Sequence, residues 1–90
     1  MNSNGNWELH VDEKVFKALK KIPKPEAKKI TSAIRALPDN PYAGDIRKVR
    51  GEDATWRRRI GEYRIFYGVY QQEKRIDVRW VERKSSKTYS

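Results

Sequence analysis

The sequence predicts an α+β fold in which a helical hairpin packs on one face of a small, mainly antiparallel sheet. Two stretches in the first half of the chain repeat apolar residues at helical spacing, and the second half changes to an alternation of apolar and polar residues. A short alternating segment also precedes the helices. In chain order these segments give β-α-α-β-β-β, and two helices on one face leave the other face of the sheet open.

The first predicted elements are a strand and a helix. Alternation in the strand places Trp7, Leu9 and Val11 on one face. Asp12 follows and suits an N-cap, because its carboxylate can accept a hydrogen bond from a free backbone N–H. The helix is predicted over residues 13–22. Its apolar stripe consists of Val15, Phe16, Leu19 and Ile22.

Prolines mark both ends of the second predicted helix. Pro23 and Pro25 break the first helix, and Pro25 fits the first turn of the next one, where its missing N–H costs little. Pro38 and Pro41 end the second helix. Its apolar stripe consists of Ala27, Ile30, Ile34 and Leu37. The short link between the helices predicts an antiparallel hairpin.

The rest of the chain alternates with the period of a β-strand. Residues 45–50 fit a short strand, and longer strands are predicted over 55–60, 63–70 and 75–83, separated by turns that contain Gly51, Gly61 and residues 71–74. In the last strand, we expect Ile76, Val78 and Trp80 to share the face that the helices cover.

The length and composition predict one small domain. We expect residues 1–6 to be a disordered lead and residues 7–90 to form a single domain. The chain contains no cysteine, which excludes disulfides and thiolate metal sites and fits a cytoplasmic location. No apolar run approaches the roughly 20 residues that a membrane-spanning helix needs, so no membrane partner is expected.

The charge balance indicates a polyanionic partner. Lys and Arg number 21 against 12 Asp and Glu, and the formal net charge is +9. Such an excess favours nucleic acid as the partner. A role in solubility, or an acidic protein partner, is the alternative interpretation.

The stretch Trp56-Arg-Arg-Arg-Ile60 concentrates this charge on one strand. Alternation places Arg57 and Arg59 on the open face, and Arg64 of the next strand joins them there. Arg58 falls on the opposite side, where its stem can pack while its head reaches water near an edge of the sheet.

Three guanidinium groups on one face suit phosphate, because the planar fork of arginine binds oxyanions through two hydrogen bonds. The alternative is a solvated strand face whose arginines pair with acidic residues. The nearby acids Glu52, Asp53 and Glu62 are all predicted to lie at turns, which weakens that alternative.

Other kinds of site find little support in the sequence. His10 is the only histidine and falls on the polar side of the first strand, where we expect it to be solvated. No metal-ligand cluster, glycine-rich phosphate loop or Ser-His-Asp set can be assembled. We therefore expect no metal and no cofactor, and an enzyme of this sequence would depend on Arg, Lys and Tyr.

The chain resembles the RelE/ParE superfamily of toxins from toxin–antitoxin modules, over about residues 7–89. The resemblance rests on a basic and an apolar residue before Gly51, on the stretch WRRRIGEYRIFYGVY, and on VRWVERKSSKTY at the end. The GEYRIFY stretch is its most specific part. The resemblance implies the same α+β fold, and it implies an mRNA on the ribosome and a cognate antitoxin as partners.

RelE-like members of the superfamily are ribosome-dependent endoribonucleases that cut mRNA in the A site, and the resemblance assigns the site residues accordingly. Arg64, Arg83 and Tyr89 correspond to catalytic positions, and Arg57 and Arg59 to positions that bind RNA and stabilise transition-state charge. RelE usually has lysine at these last two positions, so the arginines here suit electrostatic clamps better than acids.

Two alternatives remain open at this point. ParE-like members inhibit DNA gyrase and have no nuclease activity. A basic nucleic-acid-binding module without catalysis would also account for the charge. The basic cluster together with the C-terminal tyrosine favours the endoribonuclease.

Overall fold

A computed structural model describes residues 7–52 and 54–84. The predicted lead at 1–6, the turn residue Asp53 and the proposed catalytic Tyr89 lie outside the described residues. The secondary-structure elements follow in chain order: β1 Glu8–Val11, α1 Glu13–Lys20, α2 Lys24–Ala36, β2 Ile46–Lys48, β3 Thr55–Ile60, β4 Tyr63–Tyr70 and β5 Arg75–Arg83. The predicted α+β fold is confirmed, and the segment at 45–50 provides the short strand β2.

The strands form one five-stranded sheet in the order β1-β5-β4-β3-β2. β1 runs parallel to β5, and the other pairs are antiparallel. The sheet is therefore mixed, with the helical hairpin linking β1 to the short edge strand β2. Gly61, at φ +58°, lies in the two-residue turn between β3 and β4, where a positive φ favours glycine.

The helices begin where the sequence indicates. The Asp12 carboxylate accepts a hydrogen bond from the backbone N–H of Lys14 at 2.8 Å, which makes it the N-cap of α1. Pro25 lies in the first turn of α2, as expected. α1 ends at Lys20, two residues before the predicted end. No helix among the described residues is long and apolar enough to cross a bilayer.

The core lies between the helical hairpin and one face of the sheet. The buried apolar residues are Val15, Ile30, Ala33, Ile34 and Leu37 from the helical half of the chain and Tyr63, Ile65, Tyr67, Val69, Ile76, Val78 and Val81 from the strands. The other sheet face, which the helices do not cover, is called the open face below.

Two predicted core residues lie elsewhere. Phe16 is 53% exposed on α1, whereas its neighbour Val15 is fully buried. Successive helical positions are about 100° apart, so only one of two adjacent apolar residues can face the sheet squarely. Trp80 is 41% exposed and lies on the open face, and Val81 is buried instead.

A β-bulge in β5 explains the position of Trp80. Phe66 pairs with Trp80 and the next residue, Tyr67, pairs with Val78, so Arg79 has no partner in the register. One extra residue reverses the alternation of the strand. The residues after Val78 therefore point to faces opposite to those predicted from strict alternation.

Candidate nucleic-acid interface

The antiparallel pairing of β3 with β4 brings the three predicted arginines onto the open face. Arg57 lies opposite Phe66, and Arg59 lies directly opposite Arg64. Residues opposite each other in a sheet share a face, and their Cβ atoms are about 5 Å apart. The predicted grouping of Arg57, Arg59 and Arg64 is confirmed, and the Arg59–Arg64 pair places like charges side by side.

Such a like-charge pair destabilises a sheet unless an anion lies between the two groups. One acid beside this pair is Glu82 of β5, which lies opposite Arg64. Its Oε2 is 3.8 Å from Nη1 of Arg64, at a carboxylate that is 46% exposed. A long, solvated contact of this kind contributes little, so it leaves most of the positive charge unbalanced.

The acids expected near these arginines were Glu52, Asp53 and Glu62, and Glu82 was not among them. The bulge at Arg79 turns Glu82 onto the open face, which strict alternation from Val78 does not predict.

Further cations extend the open face toward the edge of the sheet. Arg47 of β2 lies opposite Arg57. A cleft of about 320 Å³ at this edge is lined by Arg47, Lys48, Val49, Arg50, Arg57 and Phe66. The lining contains four cations and no acid. The basic residues before Gly51 were not predicted to belong to this face, although they lie in the strand predicted over residues 45–50.

Arg79 is a further residue of this face that the sequence analysis missed. Its guanidinium donates a hydrogen bond to Thr55 Oγ1 at 2.7 Å and another to the Tyr70 hydroxyl. It lies over Gly68, where a Cβ atom would come within 2.8 Å of Arg79 Nη2. Glycine at position 68 therefore makes room for a guanidinium that is fixed across three strands.

Arg58 lies on the helix-covered side, as predicted. It pairs with Ile46 and Ile65, and it is half-buried on the strand next to the edge strand β2. Its guanidinium packs against Gly44, where a Cβ atom would come within 2.8 Å of Arg58 Nε. Its environment is therefore the packing of a loop against the sheet.

Tyr67 lies in the core, on the helix-covered face of the sheet, and is a structural residue. Its hydroxyl donates a 2.7 Å hydrogen bond to the backbone carbonyl of Pro41. Burial raises the pKa of Tyr67 to about 12, and the positive charge of Arg58 opposes that rise only in part. Tyr67 therefore stays protonated at neutral pH and is not suited to act as a base.

Arg83 lies apart from the three open-face arginines. It pairs with the buried Tyr63, so its register points it to the helix-covered side at the end of β5. Its side chain is 70% exposed, and Nη2 lies 3.8 Å from Glu62 Oε1. Tyr89 lies beyond the described residues.

His10 lies at the opposite edge of the sheet. It is exposed and its Nε2 is 3.2 Å from the Glu8 carboxylate. Nearby, Arg75 donates a 3.0 Å hydrogen bond to Asp77, and this bond raises the pKa of the Arg75 guanidinium. Within residues 7–52 and 54–84 no three His, Cys, Asp or Glu residues are grouped so that they could hold a metal ion.

Comparisons with known proteins give matches over most of the chain. Residues 9–86 match the family described as ParE toxin of type II toxin–antitoxin system, parDE. A curated RelE1 toxin homologue from Methanocaldococcus jannaschii is 34% identical over 82 residues, which are 88% of this chain and 89% of the homologue.

Solved structures show the same fold. RelE in the RelE–RelB complex of Pyrococcus horikoshii superposes with a TM-score of 0.78 at 23% identity, covering 91% of this chain and 99% of that one. Isolated Escherichia coli RelE gives a TM-score of 0.75 at 18% identity, covering 90% and 87%. The RelB–RelE complex of Methanococcus jannaschii gives 0.69 at 27% identity, covering 82% and 88%. The chain therefore belongs to the RelE/ParE family of type II toxin–antitoxin toxins.

Proposed function

We propose that this toxin is a ribosome-dependent endoribonuclease that cuts mRNA in the A site and so inhibits translation. The observation that carries the proposal is the pairing of Arg59 with Arg64 beside Arg57 on an uncovered sheet face. A phosphate between these guanidinium groups would convert a repulsive arrangement into bidentate binding. The same groups can stabilise the extra negative charge of a phosphoryl transition state.

The chemistry needs a base and a charge clamp. The 2′-hydroxyl of a nucleotide loses its proton, and the 2′-oxygen attacks the adjacent phosphorus. The bond from phosphorus to the 5′-oxygen breaks, and that oxygen takes up a proton. Arginine keeps its proton at neutral pH, so Arg57, Arg59 and Arg64 serve as clamps and not as proton carriers.

Tyr89 is the proposed general base, and Arg83 is the proposed cation beside it at the scissile phosphate. The register of Arg83 faces away from the open face, but its side chain is 70% exposed at the end of β5 and free to turn toward RNA. A free phenol has a pKa of about 10. Neighbouring cations favour the phenolate, so the basic open face suits this role. Arg83, at the end of β5, begins the basic segment that leads to Tyr89. Their separation in the sequence matches that of the RelE arginine and tyrosine.

A ribosome-bound mRNA and a cognate antitoxin are the proposed partners. The net charge of +9 suits ribosomal RNA and mRNA. The same positive charge suits an acidic antitoxin segment that binds along the open face. The similar structures from Pyrococcus horikoshii and Methanococcus jannaschii are complexes of RelE with RelB. We also propose that the toxin acts in the cytoplasm, where translation takes place.

A second candidate function is inhibition of DNA gyrase without nuclease activity. One observation favours it, namely that the matching family description is that of ParE. The arginine face would then bind an acidic surface of a protein.

Induction of the toxin in growing cells tests both candidates. Primer extension on a reporter mRNA should show cuts at a fixed position within codons, and a reporter without a start codon should stay intact. The toxin carrying Tyr89→Phe should lose cleavage by two orders of magnitude or more, in line with the loss of a positioned base. Gyrase supercoiling activity should not change.

One result would count against this function, and another would count against its proposed base. Growth arrest with intact mRNA and inhibited supercoiling would support the gyrase candidate. Cleavage by the Tyr89→Phe toxin at the wild-type rate would remove Tyr89 from the mechanism.

A further inference from the structure

The open face carries a stacked aromatic pair at its centre. Phe66 of β4 and Trp80 of β5 lie opposite each other, with ring centroids 4.8 Å apart and ring planes inclined by 24°. The pair lies on the face away from the helices, and Trp80 is 41% exposed. An exposed aromatic stack contributes little core burial, so its position requires another explanation.

The indole is held in a defined orientation. Trp80 Nε1 donates a 3.3 Å hydrogen bond to Glu82 Oε1, and Phe66 packs against the indole on the β4 side. Trp80 also lines a second cleft, of about 540 Å³, whose lining includes three cations, Lys14, Arg75 and Arg79, and two acids, Asp12 and Asp77. The Trp80 ring therefore has Phe66 on one side and, on the other, an open space large enough for a planar group.

The charges around the pair identify the ligand class. Arg57 of β3 lies opposite Phe66. Arg79, the bulge residue of β5, immediately precedes Trp80. Neighbouring strands are about 4.8 Å apart, so Arg57 lies about 10 Å from Trp80 across the sheet. A polyanion with flat, apolar groups along it fits this alternation of cations and rings, and single-stranded RNA has that chemistry.

We propose that Trp80, backed by Phe66, is a stacking platform for a nucleobase of single-stranded RNA next to the phosphate that Arg57 and Arg64 bind. This inference rests on the proposed RNA-cleaving function, because it names how the same face holds the substrate. Stacking tolerates any base, so the platform contributes affinity and position more than sequence preference.

Binding measurements on two probes separate stacking from charge. The probes are a short fluorescent oligouridine and an abasic strand with the same number of phosphates. The full-length toxin should bind oligouridine about tenfold or more tightly than the abasic strand. Trp80→Ala should remove most of that difference, and Trp80→Phe should restore part of it, because phenylalanine keeps a π-face.

Two further variants provide matched controls. Phe16→Ala removes another exposed aromatic side chain, from α1 and away from the open face, and should leave both affinities unchanged. Arg57→Ala should weaken both probes alike and lower the slope of log Kd against log salt by about 0.7–1. Trp80→Ala should leave that slope unchanged.

The result that overturns the platform is equal binding of the two probes, or an unchanged preference for oligouridine in Trp80→Ala. Either result can occur in a toxin that still cuts ribosome-bound mRNA, in which case the proposed function stands and the platform fails. If stacking is observed in a protein that cuts no mRNA, the platform stands and the proposed function fails.

Discussion

At the scale of single residues, the arginines of β3 differ by the face of the sheet on which they lie. Arg57 and Arg59 lie on the open face, and Arg58 packs against Gly44 on the helix-covered side. Alternation along the strand was sufficient to predict this division, because no bulge interrupts β3 or its pairing with the first half of β4. The acidic partner of Arg64 on the neighbouring strand could not be predicted, since Glu82 reaches Arg64 only through the bulge in β5.

Tyr67 gives a prediction of how stability depends on pH. Its pKa is raised to about 12 in the folded protein, against about 10 in an unfolded chain. The neutral phenol is thus favoured in the fold, so its contribution is complete below pH 10 and is lost as the pH rises toward 12. At pH 11 we expect the loss to be about 1.4 kcal/mol in the free energy of unfolding.

Urea unfolding from pH 8 to pH 11 measures this loss. Tyr67→Phe provides the reference, because it keeps every other ionisable group of the protein. That variant lacks the hydrogen bond to Pro41 and should be less stable at pH 8, but it should lose about 1.4 kcal/mol less between pH 8 and pH 11. Parallel curves for the two proteins would contradict the assignment.

At the scale of elements, the bulge in β5 determines what the open face contains. It turns Trp80 and Glu82 to that face and Val81 into the core. The sequence carried a sign of this change in phase, because the apolar residues Val78 and Val81 are three positions apart and not two. Periodicity alone favoured Trp80 as the core residue. The pairing with β4 instead places Val81 in the core and Trp80 on the open face.

Gly68 tests the packing around this bulge. A Cβ atom at position 68 would overlap the ends of the Arg79 and Tyr70 side chains, so Gly68→Ala must displace them. We expect a cost of about 1 kcal/mol in the free energy of unfolding, at the low end for overpacking because these groups are flexible.

A double-mutant cycle assigns that cost to Arg79. In an Arg79→Ala background, urea unfolding should show a smaller cost for Gly68→Ala than in the wild-type background. An equal cost in both backgrounds would mean that Arg79 does not occupy the space above Gly68.

At the scale of the whole molecule, the two faces of the sheet have different roles. The face covered by the helices provides stability, and the open face carries charge. The helices and the apolar alternation of the strands were readable from the sequence, because each follows a local period. The grouping of Arg47, Arg57 and Arg64 from three strands depends on strand order and register. Alternation in the predicted hairpin grouped Arg57 with Arg64, whereas Arg47 was not predicted to join them, and Tyr89 stays a prediction.

The central claim is that arginines of the open face serve catalysis, whereas Arg58 serves the fold. The measurement that tests it most directly is cleavage of mRNA on a programmed ribosome by Arg64→Ala and Arg58→Ala, with urea unfolding of both proteins. Arg64→Ala should slow cleavage by about 10²-fold or more, and it should leave stability within about 0.5 kcal/mol because it also relieves repulsion with Arg59.

Arg58→Ala should cost about 1 kcal/mol of stability through lost packing and cleave at close to the wild-type rate. Loss of cleavage in Arg58→Ala equal to that in Arg64→Ala, or wild-type cleavage by Arg64→Ala, would contradict the claim.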